Sequence, residues 1–263
     1  MRRTLSFLCE GNALAATLDE ADGSTGLLII QGGNEIRVGA HRGMAKLAAA
    51  VAGQGYPVLR FDRRGIGDSE GENQGYMSCG PDIAAAVEAF RAACARLERV
   101  VGFGNCDAAT ALVLHKSPVD ALILSNPWVV EPVDDLPPPA AIKGHYARRM
   151  RDPAAWAALL TGKVDLRGIA KGLGRIAAAK EAGTLAESFA RALAVRLLPT
   201  TIVLAARDGT ALAFDDEWKS TVFNGLRDDP AIRLETVDSA SHSYAGRGDF
   251  EALLEVVLAR LAA

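Results

Sequence analysis

From Leu27 onward the chain alternates short β-rich apolar runs with alanine-rich helical stretches: Leu27 to Ile30, Met44 to Val51, Pro57 to Phe61, Ile83 to Leu97, Val100 to Phe103. Parallel strands cannot be joined by a tight hairpin and need a crossover, usually a helix, so this rhythm implies βαβ units and a mostly parallel sheet flanked by helices, an α/β fold. It continues with a helix after Cys106, strands at Asp120 to Leu124 and Thr201 to Ala205, a segment around Ala211 to Phe223, a strand at Ile232 to Val237 and a closing helix from Phe250 to Leu261. Ahead of it, Thr4 to Leu8 and Ala13 to Leu18 flank Glu10-Gly11-Asn12 and predict an antiparallel hairpin that opens the sheet.

Between Pro127 and Leu198 the strand rhythm stops, and the Pro-rich Leu136 to Pro139 leads into a stretch that is helical by composition. This predicts a single domain over residues 1–263 with a helical lid inserted at about 130–198. From Lys143 to Arg196 there are eleven basic residues against four acids, although the whole chain has a net charge of -3. Such a stretch serves either as solvated helix faces or as a lid that attracts an anionic substrate or carrier. Arg148, Arg149 and Trp156 are the candidate substrate contacts, with Leu159, Leu160 and Phe189 adding an apolar side.

The slightly negative net charge, with no basic run interleaved with aromatics, argues against a nucleic-acid partner. The apolar part of Met1 to Asn12 stops at Glu10, too short for a secretory signal, and no apolar run approaches the roughly 18 to 20 residues that span a bilayer. A cytoplasmic protein with no transmembrane segment is expected. Cys9, Cys79, Cys94 and Cys106 form no CxxC pair, which argues against a zinc site or a disulfide framework. The four histidines lack ligand spacing and no phosphate-binding glycine motif opens a helix, so neither a metal nor a cofactor is expected.

The most informative segment is Val100-Val101-Gly102-Phe103-Gly104-Asn105-Cys106-Asp107-Ala108-Ala109, a buried strand running through a tight turn into a helix. A nucleophile elbow forces its central residue into a strained conformation, so the residues two before and two after it must be small; Gly104 and Ala108 fill those places. A free thiol near pKa 8.5 ionises far more easily than an alcohol, and a base or a helix N-terminus eases it further. A cysteine after a strand is also commonly a small buried apolar residue, so the acid and base matter. In this fold they follow the nucleophile in chain order, each past a later strand. Asp208 follows Thr201 to Ala206, and His242 follows Ile232 to Val237. The plainer readings are an N-cap aspartate and a surface-loop histidine. Asp215 and Asp216 are rivals for the acid, whereas His41, His115 and His145 lack strand-end placement.

Acyl transfer also needs donors for the oxyanion, normally the N–H after the nucleophile and one from an earlier strand-end loop. Asp107 supplies the first; Gly33, with Asn34 close behind, is the candidate for the second, in Gln31-Gly32-Gly33-Asn34 after the strand at Leu27. An ordinary glycine turn is the alternative. The loop Asp62 to Ser69 follows another strand, and its glycines and short polar residues suit a structural turn.

The D-x-R-G-x-G-x-S loop at Asp62 to Ser69, the elbow, and the strand-end Asp and His together resemble the α/β-hydrolase superfamily over nearly the whole chain. More narrowly, Gly32 to Arg42, Pro57 to Gly71, Gly104 to Ala109 and Asn126 to Val129 look like the exosortase A system-associated hydrolase 1 family. That resemblance implies a bacterial α/β-hydrolase linked to exopolysaccharide and protein-sorting gene clusters. The chain departs from the more familiar pattern in having Cys for Ser and Ala for the second elbow glycine. The expected function is hydrolysis of an ester or thioester, on a small-molecule or carrier-linked acyl substrate, through a Cys106, His242, Asp208 triad. The alternatives are an acyltransferase using the same acyl-cysteine and a non-catalytic accessory protein. Oligomeric state is left open by the sequence.

Overall fold

The computed structural model describes residues 1–130 and 184–263. Eight strands form one sheet: β1 (Arg2–Cys9), β2 (Asn12–Asp19), β3 (Thr25–Ile30), β4 (Val58–Phe61), β5 (Arg99–Asn105), β6 (Ala121–Ser125), β7 (Thr200–Ala205) and β8 (Ile232–Val237). Their spatial order is β1-β2-β4-β3-β5-β6-β7-β8. β1 and β2 are the expected hairpin, in register from Arg2 opposite Asp19 to Cys9 opposite Asn12, and β2 is also antiparallel to β4. From β4 to β8 every pairing is parallel.

Alternating side chains of the central strands enter two cores. Leu27, Ile29, Val101, Phe103, Ile123 and Val203 face one layer, in which α1 (Gly43–Gly53) and α6 (Asp249–Ala262) lie. Leu28, Ile30, Leu122, Leu124 and Ile202 face the other, built from α2 (Gly80–Ala93), α3 (Asp107–Leu114), α4 (Thr184–Arg196) and α5 (Gly209–Trp218). Strands buried on both faces read as continuous apolar runs, which is why β3, β5, β6 and β7 stood out in the sequence.

One expectation needs correction. The second helix runs from Gly80 to Ala93 rather than from Ile83 to Leu97. Cys94 is already extended, and Leu97 N–H turns back onto Cys94 O so that β5 can begin beside Thr25. Phe189 is fully buried and packs against Phe214 and Phe223, so α4 belongs to the core layer. Arg196, counted among the cations of the insertion, is half-buried and donates to Leu112 O at 2.6 Å and to Ser117 O. It therefore satisfies carbonyls at the C-terminal end of α3, where a cation is favoured. Arg148, Arg149 and Trp156 lie outside the described residues.

The chain leaves β3 to build β4 on one side and returns to build β5 on the other. Such a reversal opens a crevice at the carboxyl ends of the strands, the preferred place for ligands in open α/β sheets. Gly32 and Gly33 follow β3, and Cys106 follows β5, so the topology brings them to the same crevice.

Candidate active site

Cys106 has φ 61° and ψ -128°, a conformation that side chains rarely adopt, directly between β5 and α3. The strain is held from several sides. Cys106 N–H donates to Ser125 O at 2.9 Å, and Cys106 O accepts from Ala109 N–H at 3.1 Å and Trp128 N–H at 3.3 Å. A Cβ on Gly104 would stand 2.7 Å from the carbonyl of Ala108, and Ala108 is itself fully buried. Both small residues are thus required by the turn, as the sequence indicates.

Asp208 ends the β7 turn and caps α5. Its Oδ2 accepts from Ala211 N–H at 3.0 Å and lies 3.0 Å from His242 Nδ1. Capping α5 and meeting His242 are therefore not alternatives for Asp208; one carboxylate makes both contacts. Asp215 instead pairs with Lys219 on the outer side of α5, and Asp216 is exposed. With Nδ1 facing Asp208, Nε2 is the ring nitrogen left for Cys106, which lies close enough to raise the imidazole. Burial works against a charge on His242. The hydrogen bonds to Asp208 and Cys106, together with their charges, outweigh it and push the imidazole from 6.5 up to about 10. Burial likewise opposes the Asp208 carboxylate, but His242 and the Ala211 and Thr210 N–H groups hold it below the usual carboxylate range. Burial pushes Cys9 and Cys79 up to about 11 and raises Cys94, so these three persist as thiols at neutral pH.

The His242 loop is fastened by polar groups that a search for catalytic types passes over. His242 O accepts from Asn105 Nδ2 and Asn126 Nδ2, each at 3.3 Å. Asn105 Oδ1 accepts in turn from Ser125 Oγ at 2.8 Å and Asn126 Nδ2 at 3.1 Å, while Asn126 Oδ1 accepts from Ala205 N–H at 2.9 Å. Tyr244 OH completes the cluster, 3.0 Å from Ser125 Oγ. On the other side of the loop, Ser239 Oγ donates to Asp249. The signal in the sequence was the placement of Asn105 and Asn126, each at the carboxyl end of a buried strand.

The loop after β3 lies against the elbow. A Cβ on Gly32 would stand 2.4 Å from Asn105 O and 3.2 Å from Cys106 Cβ, so only glycine permits this approach. Asp107 is the first residue of α3, and its N–H has no acceptor within the helix. Gly33 is held at both ends: its N–H donates to Asp107 Oδ1 at 2.7 Å, and its carbonyl accepts from Arg63 Nη2. Asn34 is exposed and accepts from Asn73 Nδ2 at 2.7 Å. In the neighbouring loop Asp62 is buried and takes Arg37, the Arg37 N–H and the Asp68 N–H, which makes it a structural hub.

Residues 27–207 match the family described as serine aminopeptidase, S33 (Hydrolase_4). The chain belongs to that family of hydrolases. Solved structures agree with an α/β-hydrolase fold. An esterase of Pyrococcus furiosus superposes with a TM-score of 0.65 at 14% identity, covering 99% of this chain and 90% of that one. The α/β-hydrolase GrgF of a Penicillium species gives 0.66 at 18% identity, covering 99% and 98%. A proline iminopeptidase of Mycobacterium smegmatis gives 0.61 at 13% identity, again covering 99% and 98%. No curated protein sequence matches the chain. Among the described residues of this α/β-hydrolase no helix is long and apolar enough to cross a membrane, and no cluster of three or more His, Cys, Asp or Glu side chains is grouped to hold a metal.

Proposed function

We propose that this α/β-hydrolase cleaves esters or thioesters through an acyl intermediate on Cys106. The observation that carries the reading is the arrangement at the carboxyl edge of the sheet, in which His242 Nδ1 lies 3.0 Å from Asp208 Oδ2 and the same imidazole is close enough to Cys106 to be raised by it. The proton given up by Cys106 resides on His242 as the sulfur attacks the carbonyl carbon, and the carbonyl oxygen becomes an oxyanion. The Asp107 N–H receives that charge, joined by the Gly33 N–H once its present hydrogen bond is exchanged. Collapse breaks the bond to the leaving alkoxide or thiolate, which takes its proton from His242. Water, deprotonated by the same imidazole, then attacks the acyl-cysteine and releases the acid with Cys106 restored. Asp208 orients the ring and stabilises the imidazolium throughout.

The finer assignment rests on sequence. The segments at Gly32 to Arg42 and Pro57 to Gly71 support a place beside exopolysaccharide and exosortase gene clusters, and a thiol nucleophile suits the reducing cytoplasm. The basic residues between Lys143 and Lys180 support a small-molecule or carrier-linked acyl donor that is anionic. Reversing the charges of Arg148, Arg149 and Arg151 should then raise KM for anionic donors and leave neutral donors unaffected.

The test of the reaction is intact-protein mass spectrometry after brief exposure to a panel of acyl esters and acyl thioesters, with Cys106→Ala and His242→Ala as controls. An acyl adduct confined to Cys106, formed more slowly in the histidine variant, is the expected result. No adduct and no turnover with any donor would overturn the reading.

A further inference from the structure

The residue after the nucleophile carries a carboxylate, and that carboxylate sits on the amide proposed for the oxyanion. Asp107 Oδ1 accepts the Gly33 N–H at 2.7 Å. An oxyanion formed on Cys106 must compete for the same donor with a group of its own charge, so this arrangement cannot persist through acyl transfer with Gly33 contributing. The far end of Gly33 offers the alternative. Arg63 donates Nη2 to the Gly33 carbonyl and is only 4% exposed. Among the described residues its Nε and Nη1 have no hydrogen-bond partner, and no carboxylate pairs with it. The guanidinium lies against the Cys79 thiol, a weak acceptor. A buried guanidinium without a counter-charge is a strong attractor for a carboxylate.

Of the acidic residues near Cys79, Asp82 is already committed to Arg64 and to the Cys9 thiol. Asp107 has no cationic partner among the described residues, and Cys79 senses the charges of both Arg63 and Asp107. Arg63 and Asp107 grip the same glycine, one at its carbonyl and the other at its N–H.

We infer that Asp107 is a positioning residue that governs the oxyanion pocket: at rest its carboxylate blocks the Gly33 amide, and acyl transfer proceeds when it moves onto the guanidinium of Arg63, which has no carboxylate partner among the described residues. This rests on Cys106 being the acylated nucleophile. It makes Arg63, which stands between Asp62 and Arg64 in the D-x-R-G loop, a functional feature of this chain. Substrates whose bulk displaces Asp107 are the ones the pocket favours.

The two steps are separated by comparing two reactions at Cys106 in the full-length protein. Alkylation by iodoacetamide needs the thiolate and forms no oxyanion, whereas acylation by p-nitrophenyl acetate needs both. Asp107→Ala is expected to raise the ratio of acylation to alkylation roughly tenfold or more, since one oxyanion donor is worth at least that factor. Asp107→Asn retains a carbonyl acceptor for the Gly33 N–H and should raise it less. Arg63→Met removes the destination of the carboxylate and should lower it. A ratio in Asp107→Ala equal to or below that of the unaltered protein overturns the inference while leaving the acyl-cysteine reading intact. Absence of acylation in every form, with alkylation normal, would sink that reading and this inference with it.

Discussion

Cys106 is held by its neighbours in a conformation it would not choose, and the smallest residues around it carry that cost. Gly104→Ala directs a methyl group to 2.7 Å from the backbone of Ala108, which cannot retreat because it is the first turn of α3. Chemical denaturation should show a loss of about 1–3 kcal/mol, as for other overpacked sites. His242 gives a second handle at this scale. Its rise to about 10 has contributions from Asp208 and from Cys106, both opposed by burial. In Cys106→Ala the ring should titrate lower than in the unaltered protein and still above 6.5, because the Asp208 contact remains. Two-dimensional NMR of the imidazole nitrogens against pH measures this directly.

Between elements, the site depends on polar fastenings rather than on apolar packing alone. Asn126 stands at the end of β6, donates to His242 O and Asn105 Oδ1, and accepts from Ala205 N–H after β7. Asn126→Ala leaves a fully buried backbone donor at Ala205 without its acceptor, so a stability loss of about 1–3 kcal/mol is expected. Acylation of Cys106 should slow as well, since the loop that carries the base loses an anchor; the mass-spectrometric adduct rate tests this. Arg196 fastens α4 to the C-terminal end of α3, the helix whose first residue follows the nucleophile. Arg196→Met should cost a similar amount, about 1–3 kcal/mol, and leave the His242 titration unchanged.

Over the whole molecule, the Asp208 and His242 pair links stability to pH. A histidine whose folded value lies above the unfolded 6.5 contributes fully below about 6.5, and that contribution disappears as pH climbs through about 10. The Asp208 carboxylate, depressed on folding, contributes above its ordinary 3.8 and is lost as pH falls through its lower folded value. The stability difference between the unaltered protein and His242→Ala should therefore shrink between about pH 6 and pH 10, as read from urea midpoints at about pH 6, 8 and 10.

Much of this architecture was legible in the linear chain. Strands buried on both faces must be apolar throughout, so β3, β5, β6 and β7 announced themselves, and the steric demand of the elbow left Gly104 and Ala108 on either side of Cys106. The end of α2 and the start of the core helix α4 were not legible, because helix length here is set by where the next strand must pair and by which face finds a partner. The sequence by itself determined the layered α/β class and the order of Cys106, Asp208 and His242, since local sterics and the period of hydrophobicity act along the chain. Only the tertiary structure decided that Asp208 meets His242 as well as α5, that Asn105 and Asn126 hold the His242 loop, and that Asp107 and Arg63 grip Gly33. Those are contacts between strand ends far apart in sequence, and hydrogen bonds of that kind leave no periodic mark on the chain.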